Sequence, residues 1–343
     1  MANWRSLLLL AALLLQGACQ TLPENSGLRL YELETHPKVI SFSLDDRVGG
    51  QLIVPVILPN DRTVHLLLDT GATRSALYSR EWNRLGTKAE ETEIVRIHGM
   101  IEAGLQPVAS VPFLQIGESL IQDIKFARLS EPGTQSRAGE TPHDGLLGMD
   151  ILSNFHIYVD GPKRKINFIP IELGAIVPPI SWEKVQLKPN PFIEDARNLH
   201  FLDMRLGNQL TAALFDTGSE FNLMNWKTAD YPQIRNLKKK LRNDWEIAGA
   251  IGEFKPLAKI KVLGYRAGQK MFDPSNFLLM EFDSLEVLGI EQDAFIVLGS
   301  RALKDERYII DFVNDQVAFH PGKKSFDEIT SGGSAIQTIQ PSQ

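Results

Sequence analysis

The stretch LLLDTGATRSALY, from Leu66 to Tyr78, places an acidic residue directly after three leucines and follows it with Thr70 and Gly71. An apolar run ahead of a turn reads as the end of a buried strand, and glycine permits the tight turn that follows. Taken alone, the triplet Asp69-Thr70-Gly71 suits an ordinary polar bend as well as a centre of chemistry. The remainder of the chain has to decide.

The triplet occurs twice. Asp216-Thr217-Gly218 lies 147 positions on (216 minus 69), again behind an apolar run, Ala212-Ala213-Leu214-Phe215. Each run follows another strand-like segment, QLIVPVIL from Gln51 and HFLDMRL from His200. Turn residues separate the members of each pair, Pro59-Asn60-Asp61 in one and Gly207-Asn208-Gln209 in the other, which predicts two hairpins. The ends of the two halves match without a gap. GLLGMDILSNFHIYVDGPKRKINFIP, from Gly145, lies over IVLGSRALKDERYIIDFVNDQVAFHP, from Ile296, at a constant shift of 151 (296 minus 145). That register pairs Leu147 with Leu298, Gly148 with Gly299, Asp160 with Asp311 and Pro170 with Pro321. Each copy predicts strand, glycine, one short helix, strand, turn, strand. The chain is an internal duplication.

Its 343 residues fit two such units. The net charge of -6 gives no basic face for nucleic acid, and the one basic cluster, Lys238 to Arg242, reads as a solvated helix face. Cys19 is the single cysteine, so no disulfide, cysteine nucleophile or cysteine zinc site is expected. The histidines lack ligand spacing and no H-E-x-x-H or G-x-S-x-G motif occurs, so neither a metal nor a cofactor is expected.

At the start of the chain, Arg5 and the apolar run Leu7 to Leu15 form a pattern too short to span a bilayer but suited to a secretory signal. The sequence before Cys19 resembles a bacterial lipoprotein signal, which implies lipidation of Cys19; Gln16 departs from that pattern, and plain secretion is the alternative. Gln20 after the cysteine then implies the outer membrane. The expected organisation is a signal over 1–19, a tether over 20–44, an N-terminal lobe over 45–173, a linker over 174–193, a C-terminal lobe over 194–321 and a disordered tail over 322–343.

With both triplets and both downstream Leu-Gly pairs in place, the chain resembles the aspartic proteases, both two-lobed pepsin-like enzymes and the half-sized retropepsins that dimerise. The resemblance covers roughly residues 44 to 321. It implies an all-β fold of two pseudo-symmetric lobes with a cleft between them, and Asp69 and Asp216 as a catalytic dyad sharing one proton. Thr70, Gly71 and Ala72, with Thr217, Gly218 and Ser219, would form the acidic loops, the threonines bonding across to the opposite lobe. Leu147-Gly148 and Leu298-Gly299 would pack a strand behind each loop. Two flap hairpins are expected, one carrying His98, Gly99, Met100 and Ile101, the other Gly249, Ala250 and Ile251. Ser219 is expected to donate its hydroxyl to Asp216, which Ala72 cannot do for Asp69, leaving Asp216 the more readily ionised partner. The implied activity is cleavage of extended peptide or protein segments in the cell envelope by a membrane-anchored, monomeric endopeptidase working at mildly acidic pH. A non-catalytic peptide- or envelope-binding protein on the same two-lobed fold is the alternative.

Overall fold

The computed structural model describes residues 28–33, 36–44, 50–85, 93–98, 103–131, 143–190, 196–207, 209–228, 247–248, 253–254, 257–280, 294–321 and 336–340. The fold is nearly all β, in two lobes with barrel-like sheets and a third sheet that joins them.

The N-terminal sheet runs in the order Ile53–Leu58, Arg62–Leu68, Gly145–Leu147, Ala76–Tyr78, Ser119–Leu129, Ala103–Ile116, Glu93–His98, and Ile57 opposite Gln115 folds it back on itself. Strict alternation of half-buried and buried residues along Ile53–Leu58 turns Val54, Val56 and Leu58 inward. The hairpin predicted after it is present, with Asn60 and Asp61 both at positive φ (66° and 56°) as a tight strand-to-strand turn requires. In the C-terminal sheet His200–Leu206 and Gln209–Phe215 make the equivalent hairpin, with Phe295–Leu298 beside it, buried along its whole length.

The decisive topological feature occurs once in each lobe. Gly145–Leu147 lies parallel to Arg62–Leu68 on one side and antiparallel to Ala76–Tyr78 on the other. The chain leaving Leu68 must therefore step over an inserted strand before it pairs again. That step is the Asp69-Thr70-Gly71 turn. In the second lobe Phe295–Leu298 is inserted in the same way between Gln209–Phe215 and Asn222–Met224.

Six strands make the sheet that joins the lobes: Glu183–Gln186, Gln316–Phe319, Arg307–Asp311, Phe155–Asp160, Lys165–Pro170 and Ile40–Ser43. Its middle pair comes from opposite lobes, with Tyr158 directly opposite Ile309. Ile309 is also the duplicate of Tyr158 at the shift of 151 (309 minus 158), so the pseudo-twofold axis passes through that pair. The tight turns beyond it repeat as well, with Arg164 and Asp315 at positive φ (52° and 47°), again 151 apart. One apolar core cluster takes residues from both lobes, from Leu52 and Leu147 to Leu298 and Phe319.

Three expected boundaries are corrected. The 20–44 segment is not all tether: Leu28–Arg29 pairs with Ile176–Val177, Leu33 is buried, and Ile40–Ser43 is an edge strand of the joining sheet. The 174–193 segment is not a plain linker, since Glu183–Gln186 forms the opposite edge strand, Lys188–Pro189 pairs with His200–Leu206, and Trp182 is buried. In the expected disordered tail, Ile336–Gln340 pairs with Ala258–Val262. Short alternating segments such as Ile40-Ser41-Phe42-Ser43 bury one face each, which holds them to a sheet edge.

Candidate active site

Each acidic turn begins at a strand end fixed by its inserted neighbour. Asp69 N donates to Leu147 O at 2.9 Å, and Asp216 N donates to Leu298 O at 3.1 Å. Behind the turns Gly148 N donates to Ser75 Oγ and Gly299 N to Asn222 Oδ1, both at 2.9 Å. A Cβ on Gly148 would run into the Arg74 backbone, and one on Gly299 into that of Phe221. The two Leu-Gly pairs therefore pack directly behind the loops. Ser75 and Asn222 are site-supporting residues that the sequence reading missed. The available signal was their equal spacing, each six residues past its aspartate (75 minus 69, 222 minus 216). Ser75 is itself held by Asp150, which accepts from its N–H at 2.8 Å and its hydroxyl at 2.7 Å.

The threonines join the loops across the lobe boundary. Thr70 Oγ1 donates to Phe215 O at 2.6 Å, and Thr217 Oγ1 donates to Leu68 O at 2.7 Å. Each hydroxyl also accepts from the other threonine's N–H, at 3.0 Å from Thr217 and 3.2 Å from Thr70. Both side chains are fully buried, so every one of these groups would be orphaned without its partner.

That lock brings Asp69 and Asp216 within hydrogen-bonding reach of each other. Asp69 accepts from Gly71 N at 2.9 Å; Asp216 accepts from Gly218 N at 2.9 Å and Ser219 N at 3.0 Å. The glycines also face the opposite acid: a methyl on Gly71 would overlap the Asp216 carboxyl, and one on Gly218 the Asp69 carboxyl. Burial pushes the Asp69 carboxyl well above the ordinary range, and the neighbouring Asp216 charge pushes it further. Burial also raises Asp216, but the N–H groups of Ser219 and Gly218 and a hydrogen bond from Asp69 oppose the rise. The charged form is thus penalised at both positions, and like charges this close favour a single proton shared by the pair.

One expected contact is different. The Ser219 hydroxyl donates to Phe221 O at 2.8 Å; it is the Ser219 N–H that reaches Asp216. The expected hydroxyl contact is therefore replaced by one from the backbone, and the Ala72 N–H serves Asp69 in the same way. Ala72 is buried in a small apolar cluster with Leu67, Tyr78 and Leu146.

An antiparallel ladder is described on either side of each flap candidate. His98 opposite Ala103 closes the first described ladder, and Ala248 opposite Glu253 the second. Four residues connect each pair, 99–102 and 249–252, so Gly99, Met100, Ile101, Gly249, Ala250 and Ile251 lie outside the described residues. The side chain of His98 and all of Cys19 do too.

No curated protein matches the chain. Residues 54–151, which carry Asp69 and its inserted strand, match a family model described as aspartyl protease, and over that lobe the chain is similar to the aspartyl proteases.

Proposed function

We propose that the chain is an aspartic endopeptidase that hydrolyses peptide bonds with a water activated between Asp69 and Asp216. The supporting observation is the buried pair of carboxyls, one raised well above its ordinary pKa and hydrogen-bonded to the other. In the reaction Asp216 takes a proton from water as its oxygen bonds to the peptide carbonyl carbon. Asp69 passes its proton to the carbonyl oxygen, giving a neutral gem-diol. Asp216 then returns its proton to the amide nitrogen and the C–N bond breaks. A gem-diol hydroxyl gives its proton back to Asp69 as the carboxylic acid product forms. Protons and charge balance over the cycle, and no covalent enzyme adduct is needed.

The substrate is an extended polypeptide segment, which a cleft between two β lobes accommodates edge-on. Because burial raises both carboxyls, the working range is mildly acidic. The N-terminal pattern supports export, with a lipid anchor at Cys19 holding the monomer in the cell envelope. The test is digestion of a peptide library by the full chain and by Asp69→Asn and Asp216→Asn. We expect cleavage by the parent and loss of at least about a thousandfold in each variant. Cleavage that survives both substitutions would defeat the mechanism. An inactive parent that still retains peptides would favour the binding module.

A further inference from the structure

Two amide side chains cross the lobe boundary outside the aspartate and threonine set. Gln51 stands 18 residues ahead of Asp69 and Asn198 stands 18 ahead of Asp216 (69 minus 51, 216 minus 198). Each precedes by two residues the first strand of its own lobe's hairpin, Ile53–Leu58 or His200–Leu206. Gln51 Nε2 donates to Gly218 O at 3.4 Å, and Asn198 Nδ2 donates to Thr73 O at 2.9 Å. Each lobe's leading segment thus takes hold of backbone in the other lobe, Gln51 within the Asp216 loop and Asn198 just past the Asp69 loop.

The anchoring of these segments shows that the reach is built in. Gly50, at φ +98°, lies so close to the C-terminal lobe that a Cβ would come 2.6 Å from Lys304 Cβ and 3.2 Å from Ser300 O. Ser300 in turn donates its N–H to Ser219 O at 2.8 Å, so the Gly50-Gln51 segment and the short helix Ser300–Leu303 brace one loop together. Asn198 leaves its own Oδ1 buried without a partner among the described residues while Nδ2 serves Thr73 O. An apolar side chain of that size would avoid the orphaned acceptor, so the donated bond is what asparagine adds here.

We propose that Gln51 and Asn198 are positioning residues. They fix how far the two acidic loops can slide past each other along the lobe boundary, and so set the strength of the coupling between Asp69 and Asp216. The inference rests on the reading of those aspartates as a working dyad. The threonines lock the loops at their centre; the amides hold them at the margins, where a sideways shift would have the longest lever on the carboxyls.

The experiment replaces each donor with an apolar residue of similar size, Gln51→Met and Asn198→Leu, singly and together in the full chain. Two quantities are read: the pH titration of the Asp69 and Asp216 carboxyl carbons by NMR, and the pH profiles of kcat and KM on a cleaved peptide. In the parent the two carboxyls titrate in well-separated steps. In the double variant the steps move together, the pH profile narrows, and kcat falls about tenfold or more with KM within about twofold. A folded double variant whose titration steps keep their separation would overturn the proposal. If the double variant fails to fold, the Asn198→Leu single variant decides by the same titration. A parent that cleaves nothing, but whose titration steps still converge in the variants, would remove the hydrolase reading and leave the positioning role standing.

Discussion

Gly71 and Gly218 each serve two masters: the N–H of each holds its own aspartate, and the missing side chain leaves room for the other lobe's. A carboxyl placed there, against a like group and out of water, has its charged form penalised. Burial raises both carboxyls, and the neighbouring Asp216 charge adds to the rise at Asp69. Its folded-state pKa lies above its unfolded value of about 3.9. Such a group contributes stability that is fully present below the unfolded pKa and is lost as pH rises through the folded one. Asp69→Asn removes the titration, so the variant should melt above the parent at pH 8 and no higher at pH 3. Calorimetry at the two pH values checks this; equal melting temperatures at pH 8 would contradict the raised Asp69. Ser219 gives a second test at this scale. Because its hydroxyl serves Phe221 O and only its N–H serves Asp216, Ser219→Ala should leave the acid limb of the pH profile where it is. An upward move of that limb would mean the hydroxyl turns to Asp216 during the reaction.

The inserted strand is the element that converts a repeated triplet into a site. In each lobe it pins the aspartate, Asp69 to Leu147 and Asp216 to Leu298, and leaves the threonine pointing across the lobe boundary. Thr217→Val deprives both the buried Leu68 carbonyl and the Thr70 N–H of a partner, and should cost about 2–3 kcal/mol in denaturant unfolding. Thr70→Val should cost a similar amount, and the double substitution clearly less than the sum, because the two loops separate only once. Additive losses would mean that the threonines act independently. Much at this scale was legible beforehand. The duplicated order of strand, glycine, short helix, strand, turn and strand occurs in both lobes, since each step has a local signature in apolar runs and glycine. What escaped notice depends on partners remote in sequence. Ile40–Ser43 pairs with Lys165–Pro170, over a hundred residues on, and its short alternation beside polar and proline-bearing stretches reads as tether. The orientation of the Ser219 hydroxyl and the reach of Gln51 and Asn198 were equally hidden, because a side chain's hydrogen-bond partner follows from the packed fold and has no periodicity to betray it.

Across the whole molecule, the pseudo-twofold that sets the aspartates side by side runs on through the joining sheet, where the central strands of the two lobes pair about Tyr158 and Ile309. Duplication places an acid and a base at symmetric positions of that pairing: Asp160 lies opposite Arg307, and their duplicates Asp311 and His156 meet at 3.1 Å, both buried. Burial alone would push the Asp311 carboxyl up. The close approach of His156 and hydrogen bonds from Asn314 outweigh it and hold the group down at about 2. A carboxyl depressed in this way contributes stability that is present above its unfolded pKa and lost as pH falls through the folded one. The window is therefore about pH 4 down to about 2, and the contribution, reduced by solvent screening, is roughly 1 kcal/mol. This places the loss of the lobe junction below the mildly acidic range in which the aspartate pair would work, so activity and assembly do not compete for the same protons. Asp311→Asn should be less stable than the parent by roughly 1 kcal/mol at neutral pH, and the gap should close as both are taken to pH 2. Urea unfolding across that range measures it directly. A gap that stays constant with pH would show that Asp311 holds the junction by its shape and hydrogen bonds alone, with no contribution from its charge.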